Sequence, residues 1–283
     1  MSGPDSAIQA LFERATRHHA AGRLAEAEQA YREALAIAPD HADALHGYGV
    51  LAHQLGRADV AVGMIGRALK LGGGRAHYYI NLGRALRDLG HREEAREAFH
   101  CAVILDPDDP VAQFNLAVVL AELSRGAEAV EHYRAAVQLD PGMAEAWVNL
   151  GVLLHTTGKV TEAEACFRRV AALRPGDAAA RGLWALLLRE QGRAVEAESV
   201  LREAVRLAPG NPEYRNMLGA TLIDLGRQAE AEVELRCVLI SAPEHVQARN
   251  NLGLALQGLG RLEEAVAELQ AVVRREPDNL DAR

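Results

Sequence analysis

GRLAEAEQAYREALAIAP, residues 22–39, and GRAVEAESVLREAVRLAP, residues 192–209, hold Gly, Arg, Glu, Ala and Pro at the same spacing. Working outward, Gly22, Gly56, Gly90, Gly158, Gly192, Gly226 and Gly260 fall in one 34-residue register, with Ser124 in the remaining slot. Five residues on stand Ala27, Ala61, Ala95, Ala129, Ala163, Ala197, Ala231 and Ala265. Seventeen residues after the glycine slot come Pro39, Pro107, Pro141, Pro175, Pro209, Pro243 and Pro277, with Gly73 as the single departure. A period of this length is the signature of stacked supersecondary units, each unable to bury its apolar face alone.

Each slot has a physical reading. A helix that ends in a left-handed residue favours Gly there, because a Cβ raises the energy of that conformation. Proline lacks an N–H and clashes with the preceding turn, so the proline slot closes the second helix of each repeat. The turn between them is short, which makes the pair antiparallel. Ala15, Gly49, Gly83, Ala117, Gly151, Ala185, Gly219 and Gly253 lie seven residues before the glycine slot and predict close approach of the two helices, opposite the alanine row. Glu26, Glu94, Glu128, Glu162, Glu196, Glu230 and Glu264 precede those alanines. In the first turn of a helix a carboxylate favours the positive end of the dipole, so this row reads as helix-start chemistry rather than catalytic acid.

On these residues the chain resembles the tetratricopeptide-repeat family. The resemblance implies an all-α, right-handed superhelical solenoid of eight 34-residue helix-turn-helix repeats, at 8–41, 42–75, 76–109, 110–143, 144–177, 178–211, 212–245 and 246–279. Residues 1–7 are expected to be a tail, 8–279 a single solenoid, and 280–283 the start of a truncated ninth unit, since DNLDAR echoes EHVQAR at 244–249. An uncapped final repeat predicts a longer parent protein or self-association through this end, which Leu256→Arg or Leu259→Arg is expected to disrupt. The second repeat carries Gly63 and Gly66 inside a helix and Gly72, Gly73 and Gly74 at its end. Each internal Gly costs roughly 0.5 to 1 kcal/mol against Ala, which predicts the weakest repeat and a hinge at 63–75.

Composition narrows the function. The 283 residues are 49% hydrophobic and 25% charged, enough for a sizeable core. A formal charge of −8 with only 4% aromatic residues argues against nucleic acid and acidic membranes as partners. No long apolar run and no signal-peptide pattern is present, so a cytoplasmic protein without membrane insertion is expected. Cys101, Cys166 and Cys237 are too far apart for a CxxC site and read as buried or half-buried thiols.

In this family the first helices line the concave surface, so the resemblance places candidate binding residues there. The sixth position gives Asn81, Asn115 and Asn149, then Leu183 and Met217, then Asn251 beside Asn250. The row resembles part of the asparagine ladder in the repeat region of O-linked N-acetylglucosamine transferases. An amide both donates and accepts, so such a row suits the backbone of an extended peptide; the competing reading is that these amides brace neighbouring helices. Ile80, Phe114, Val118, Val148, Val152 and Leu186 offer an apolar floor, or pack between repeats. Asp43, Glu122, Glu145, Glu213 and Asp224 outnumber Arg84, Arg87 and Arg189, which favours a neutral or basic peptide. The fifth position holds no lysine, against the clamp by which some relatives grip a chaperone's terminal carboxylate.

The chemistry-bearing residues form no catalytic pattern. His19, His46, His53 and His77 fall toward the N-terminal part of this face without HExxH or paired Cys, so no metal and no cofactor is expected. Gly72-Gly73-Gly74-Arg75 lacks the Lys-Ser/Thr of a P-loop and reads as a replaced proline turn. The expected function is a non-catalytic protein-interaction scaffold, with Asn81, Arg84, Phe114, Asn115, Val118, Val148, Asn149, Val152, Asn250 and Asn251 as its peptide-binding residues. The alternatives are the substrate-recognition region of a longer glycosyltransferase-like enzyme and a self-assembling scaffold.

Overall fold

A computed structural model describes residues 4–72 and 74–275, and among them the secondary structure is all-α, with sixteen helices and no strand. Gly73, Pro277 and the start of a ninth unit at 280–283 lie outside the described residues. Contacts divide the chain into two compact units, Met1–Ala146 and Trp147–Arg283.

The N-terminal unit holds four helix pairs: α1 (Pro4–Ala20) with α2 (Leu24–Ile37), α3 (Ala42–Gln54) with α4 (Ala58–Gly72), α5 (Ala76–Asp88) with α6 (Arg92–Leu105), and α7 (Pro110–Glu122) with α8 (Gly126–Leu139). Residues 4–7, read from the sequence as tail, form the first turn of α1. After α9 (Ala144–Thr156), in which the division falls, come α10 (Val160–Leu173), α11 (Ala178–Glu190), α12 (Ala194–Leu207), α13 (Pro212–Asp224), α14 (Gln228–Ser241), α15 (Val246–Gly258) and α16 (Leu262–Arg275). Helix α4 runs unbroken through Gly63 and Gly66.

The turn chemistry follows the repeat. All seven glycines of the slot have φ between 71° and 79°, and Ser124 adopts φ 60° in the eighth. Around Ser124 the Arg125 N–H donates to the Leu120 carbonyl at 2.8 Å, closing the helix end as at its glycine counterparts. The second helices stop two residues before each described proline, as at Ile37 before Pro39 and Leu207 before Pro209. Two residues after the proline sits an N-cap that the sequence reading overlooked. Asp109 accepts from Val111 and Ala112, Asp177 from Ala180, and Asn211 from Glu213; His41 and His245 cap through Nδ1.

The alanine row is buried throughout. The small residues of the first helices also receive the large side chain one turn beyond the alanine, and a Cβ on Gly49 would meet the Ala61 carbonyl oxygen as well, at 3.3 Å. A Cβ on Gly49 would meet Ile65 at 2.6 Å, on Gly83 Phe99 at 2.6 Å, and on Gly219 Leu235 at 2.6 Å. Tyr31, Ile65, Phe99 and Tyr133 of the N-terminal unit, and Phe167, Leu201 and Leu235 of the C-terminal unit, are all buried at this position of their repeats. Leu256 is likewise fully buried, so Leu256→Arg would break the core rather than probe a surface.

Within each unit, the second helix of a pair packs on the first helix of the next, as α2 on α3 and α12 on α13. First helices also touch one another, α1 with α3, α3 with α5, α5 with α7, and separately α11 with α13 and α13 with α15. Each unit therefore presents a row of first helices, and that row carries the candidate residues.

Candidate functional site

In the N-terminal unit the first-helix face is organised around His46 on α3. Its ring stacks on Tyr78 at 3.9 Å and meets His77 edge-on at 5.2 Å. Asn81 Nδ2 on α5 donates to His46 Nε2 at 3.0 Å. Burial, reinforced by the neighbouring His77, pushes the His46 pKa down to about 4, so the ring is neutral near pH 7 and able to accept that bond. Tyr78 Oη donates to Asp43 Oδ1 at 2.5 Å, and Arg75 pairs with the same carboxylate. Burial and the Asp43 carboxylate both push the Tyr78 hydroxyl up.

The predicted residues of this unit divide by accessibility. Phe114 and Val118 on α7 are half-buried at the face, as are Asn81 and Arg84 on α5. Asn115 is only 4% exposed, and its Nδ2 donates to the Val111 carbonyl of its own helix at 2.7 Å, so it serves the helix instead of a groove. Ile80 is also buried and packs as core.

The C-terminal unit gathers a more polar site. Arg189 of α11, Asn216, Met217 and Ala220 of α13, and Gln247, Asn250 and Asn251 of α15 line one pocket of about 380 Å³. Asn251 Nδ2 donates to Asn216 Oδ1 at 2.9 Å, and Asn250 Oδ1 is buried without a donor among the described residues. Met217, which interrupts the asparagine row in sequence, stands in the same pocket. Asn216 occupies the fifth position, one residue before the row, and was missed for that reason. On α9, Val148 and Asn149 are half-buried and Val152 is 42% exposed.

Ion pairs account for several of the charges counted from sequence. Arg189 pairs with Asp224 at 2.9 Å and Arg92 with Glu122 at 3.5 Å, and His245 Nε2 lies 3.0 Å from a Glu213 carboxylate oxygen. His53 turns away from His46 to meet Asp88 at 2.7 Å. Among the described residues no three His, Cys, Asp or Glu side chains converge as metal ligands, and no helix is long and apolar enough to cross a membrane. Cys166 is buried and Cys101 half-buried, whereas Cys237 is exposed, contrary to its reading from sequence.

The profile of the family described as the Cilia and flagella-associated protein 70 C-terminal domain matches residues 50–282, and that of the tetratricopeptide repeat matches residues 8–41. The chain belongs to the tetratricopeptide-repeat family. Human tetratricopeptide repeat proteins 7B and 7A are 31% and 30% identical to it over 93 and 105 residues, or 33% and 37% of this chain. The matches span only 11% and 12% of those relatives' lengths.

Among tetratricopeptide-repeat structures, YrrB, a TPR protein with an unusual peptide-binding site, superposes with TM-score 0.59 at 24% identity over 66% of this chain and 96% of its own. PilF of Pseudomonas aeruginosa gives TM-score 0.65 at 23% identity over 75% and 96%. The C-terminal part of a repeat protein from Cytophaga hutchinsonii gives 0.65 at 14% over 96% and 97%. At these identities the likeness is one of fold.

Proposed function

We propose that this tetratricopeptide-repeat chain is a non-catalytic scaffold that binds an extended peptide of a partner protein along its first-helix face. The observation that carries the reading is the amide-lined pocket of the C-terminal unit. Asn216, Gln247, Asn250 and Asn251 converge there, and no acid–base pair or nucleophile stands among them. Amides pair with peptide backbone whatever its side chains. Asn251 uses one amide N–H on Asn216, leaving its Oδ1 as an acceptor and its second N–H as a donor for a peptide backbone. Asn81 does the same on His46 in the N-terminal unit.

The test is titration of an array of synthetic extended peptides against the full chain, beside an Asn250→Ala, Asn251→Ala variant that melts like wild type. Two lost amide contacts are expected to weaken the best peptide about tenfold or more, at roughly 1 kcal/mol per hydrogen bond. Equal affinity for both proteins would remove the pocket from the binding site.

A further inference from the structure

The face of the N-terminal unit carries two cations that no group among the described residues neutralises. Arg84 and Arg87 stand one turn apart on α5, with Asn81 one turn before them. Both are half-buried, and neither forms an ion pair or side-chain hydrogen bond among the described residues. Arginine elsewhere in this chain is usually paired, as Arg14 is with Glu33, Arg57 with Glu28 and Arg75 with Asp43.

The repeat register shows why Arg87 is the exception. At the twelfth position of other repeats the side chain reaches the thirteenth position of the next: His19 to Gln54 at 2.8 Å and His53 to Asp88 at 2.7 Å. In the C-terminal unit His155 reaches Glu190 at 2.8 Å, and Arg189 reaches Asp224 at 2.9 Å. Arg87 occupies this position in the third repeat, and its counterpart in the fourth is Glu122. Glu122 is held instead by Arg92 at the start of α6. Arg84, at the ninth position, has no such counterpart.

From this we infer that the N-terminal unit selects a peptide bearing an acidic side chain, whose carboxylate sits over Arg84 and Arg87. The inference rests on the peptide-binding reading above and names its partner chemistry. A guanidinium presents its donors in a planar fork that matches a carboxylate, and partial burial strengthens the attraction relative to open water. Asn81 Oδ1 beside them accepts a backbone N–H, while the half-buried Phe114 and Val118 of the adjacent α7 favour apolar residues flanking the acid. Asp43 is already paired with Arg75 and Glu122 with Arg92, so they oppose an incoming acid far less than a residue count implies, while Asp88 is exposed and hydrogen-bonded to His53. Glu13 on α1 is bonded to Gln9 and lies two first helices from α5. On this inference the neutral or basic preference expected from the groove positions is replaced for this unit, because Asp43 and Glu122 are both paired with arginine.

The experiment uses the same array with a central Glu-Glu, Gln-Gln or Lys-Lys pair in one apolar frame, titrated at low salt against the full chain and an Arg84→Gln, Arg87→Gln variant. Both arginines lack protein partners, so the variant is expected to melt like wild type. Wild type is expected to bind the Glu peptide about tenfold more tightly than the Gln peptide, with the margin shrinking as salt is added and vanishing in the variant. Equal binding of Glu and Gln peptides overturns the acidic preference and leaves the groove reading intact. A Glu preference that survives in the variant overturns the assignment to Arg84 and Arg87. If no peptide of any charge binds wild type, the groove reading itself falls, and this inference with it.

Discussion

At residue 124 a serine adopts φ 60° because the turn at the end of α7 requires it. The left-handed conformation costs an L-residue roughly 1 to 2 kcal/mol, and the seven glycines at this slot avoid it. His46 shows the same dominance of surroundings over residue type. Its proton affinity falls because burial disfavours the imidazolium, with His77 adding to the effect, and the pKa drops from 6.5 to about 4. The unfolded chain takes up this proton near pH 6.5 and the fold does not. The stability that His46 contributes is thus complete above pH 6.5 and is lost as pH falls toward 4. Its size is about 2 kcal/mol, allowing for the ring's partial exposure. Urea midpoints at about pH 7 and about pH 4.5 test this: wild type is expected to lose more stability over that interval than His46→Gln. Equal losses would mean that His46 titrates alike in both states.

At the scale of the element, the helix ends were legible because Gly, Pro and the first-turn Glu each have one dominant local cause. What the sequence left unread is how the repeats are tied together, because those ties join residues in different repeats. In the C-terminal unit the arginine after each of the last three glycine slots makes two contacts at once. Arg227 holds Glu230 of its own helix and Glu198 of the preceding repeat, both at 2.6 Å; Arg193 and Arg261 do the same with Glu196 and Glu164, and with Glu264 and Glu232. The i,i+3 partner could have been read from helical spacing, whereas the 29-residue partner needs the packed geometry. Glu164, Glu198 and Glu232 are largely shielded, which places these pairs toward the upper end of the range for surface bridges. A double-mutant cycle of Arg227→Ala with Glu198→Ala is expected to give a coupling of about 0.5 to 1 kcal/mol that shrinks in high salt. A coupling of zero would reduce the ladder to surface decoration.

For the whole molecule, the repeat made the fold readable from sequence, since one 34-residue pattern seen eight times averages away the ambiguity of any single segment. The site was less legible because its residues sit at positions whose exposure depends on the neighbouring repeat: Asn115 turned inward to Val111, while Met217 and Asn216 joined the amide pocket. The same neighbour dependence governs stability. Repeats of this kind couple chiefly to the next in line, so a local change should spread a short distance along the chain and fade. Gly63 and Gly66 provide the means to see it. Both lie inside α4, and a Cβ at either meets nothing within 4 Å. Gly63→Ala with Gly66→Ala therefore restricts the unfolded chain without strain in the fold, and is expected to stabilise by about 0.5 to 1 kcal/mol per site. Hydrogen exchange should then slow in α3, α4 and α5 while the amides of α13 to α16 keep their wild-type rates. Slowing of equal size throughout would mean that the chain opens as one cooperative body, in which a gain in the second repeat is shared by every other.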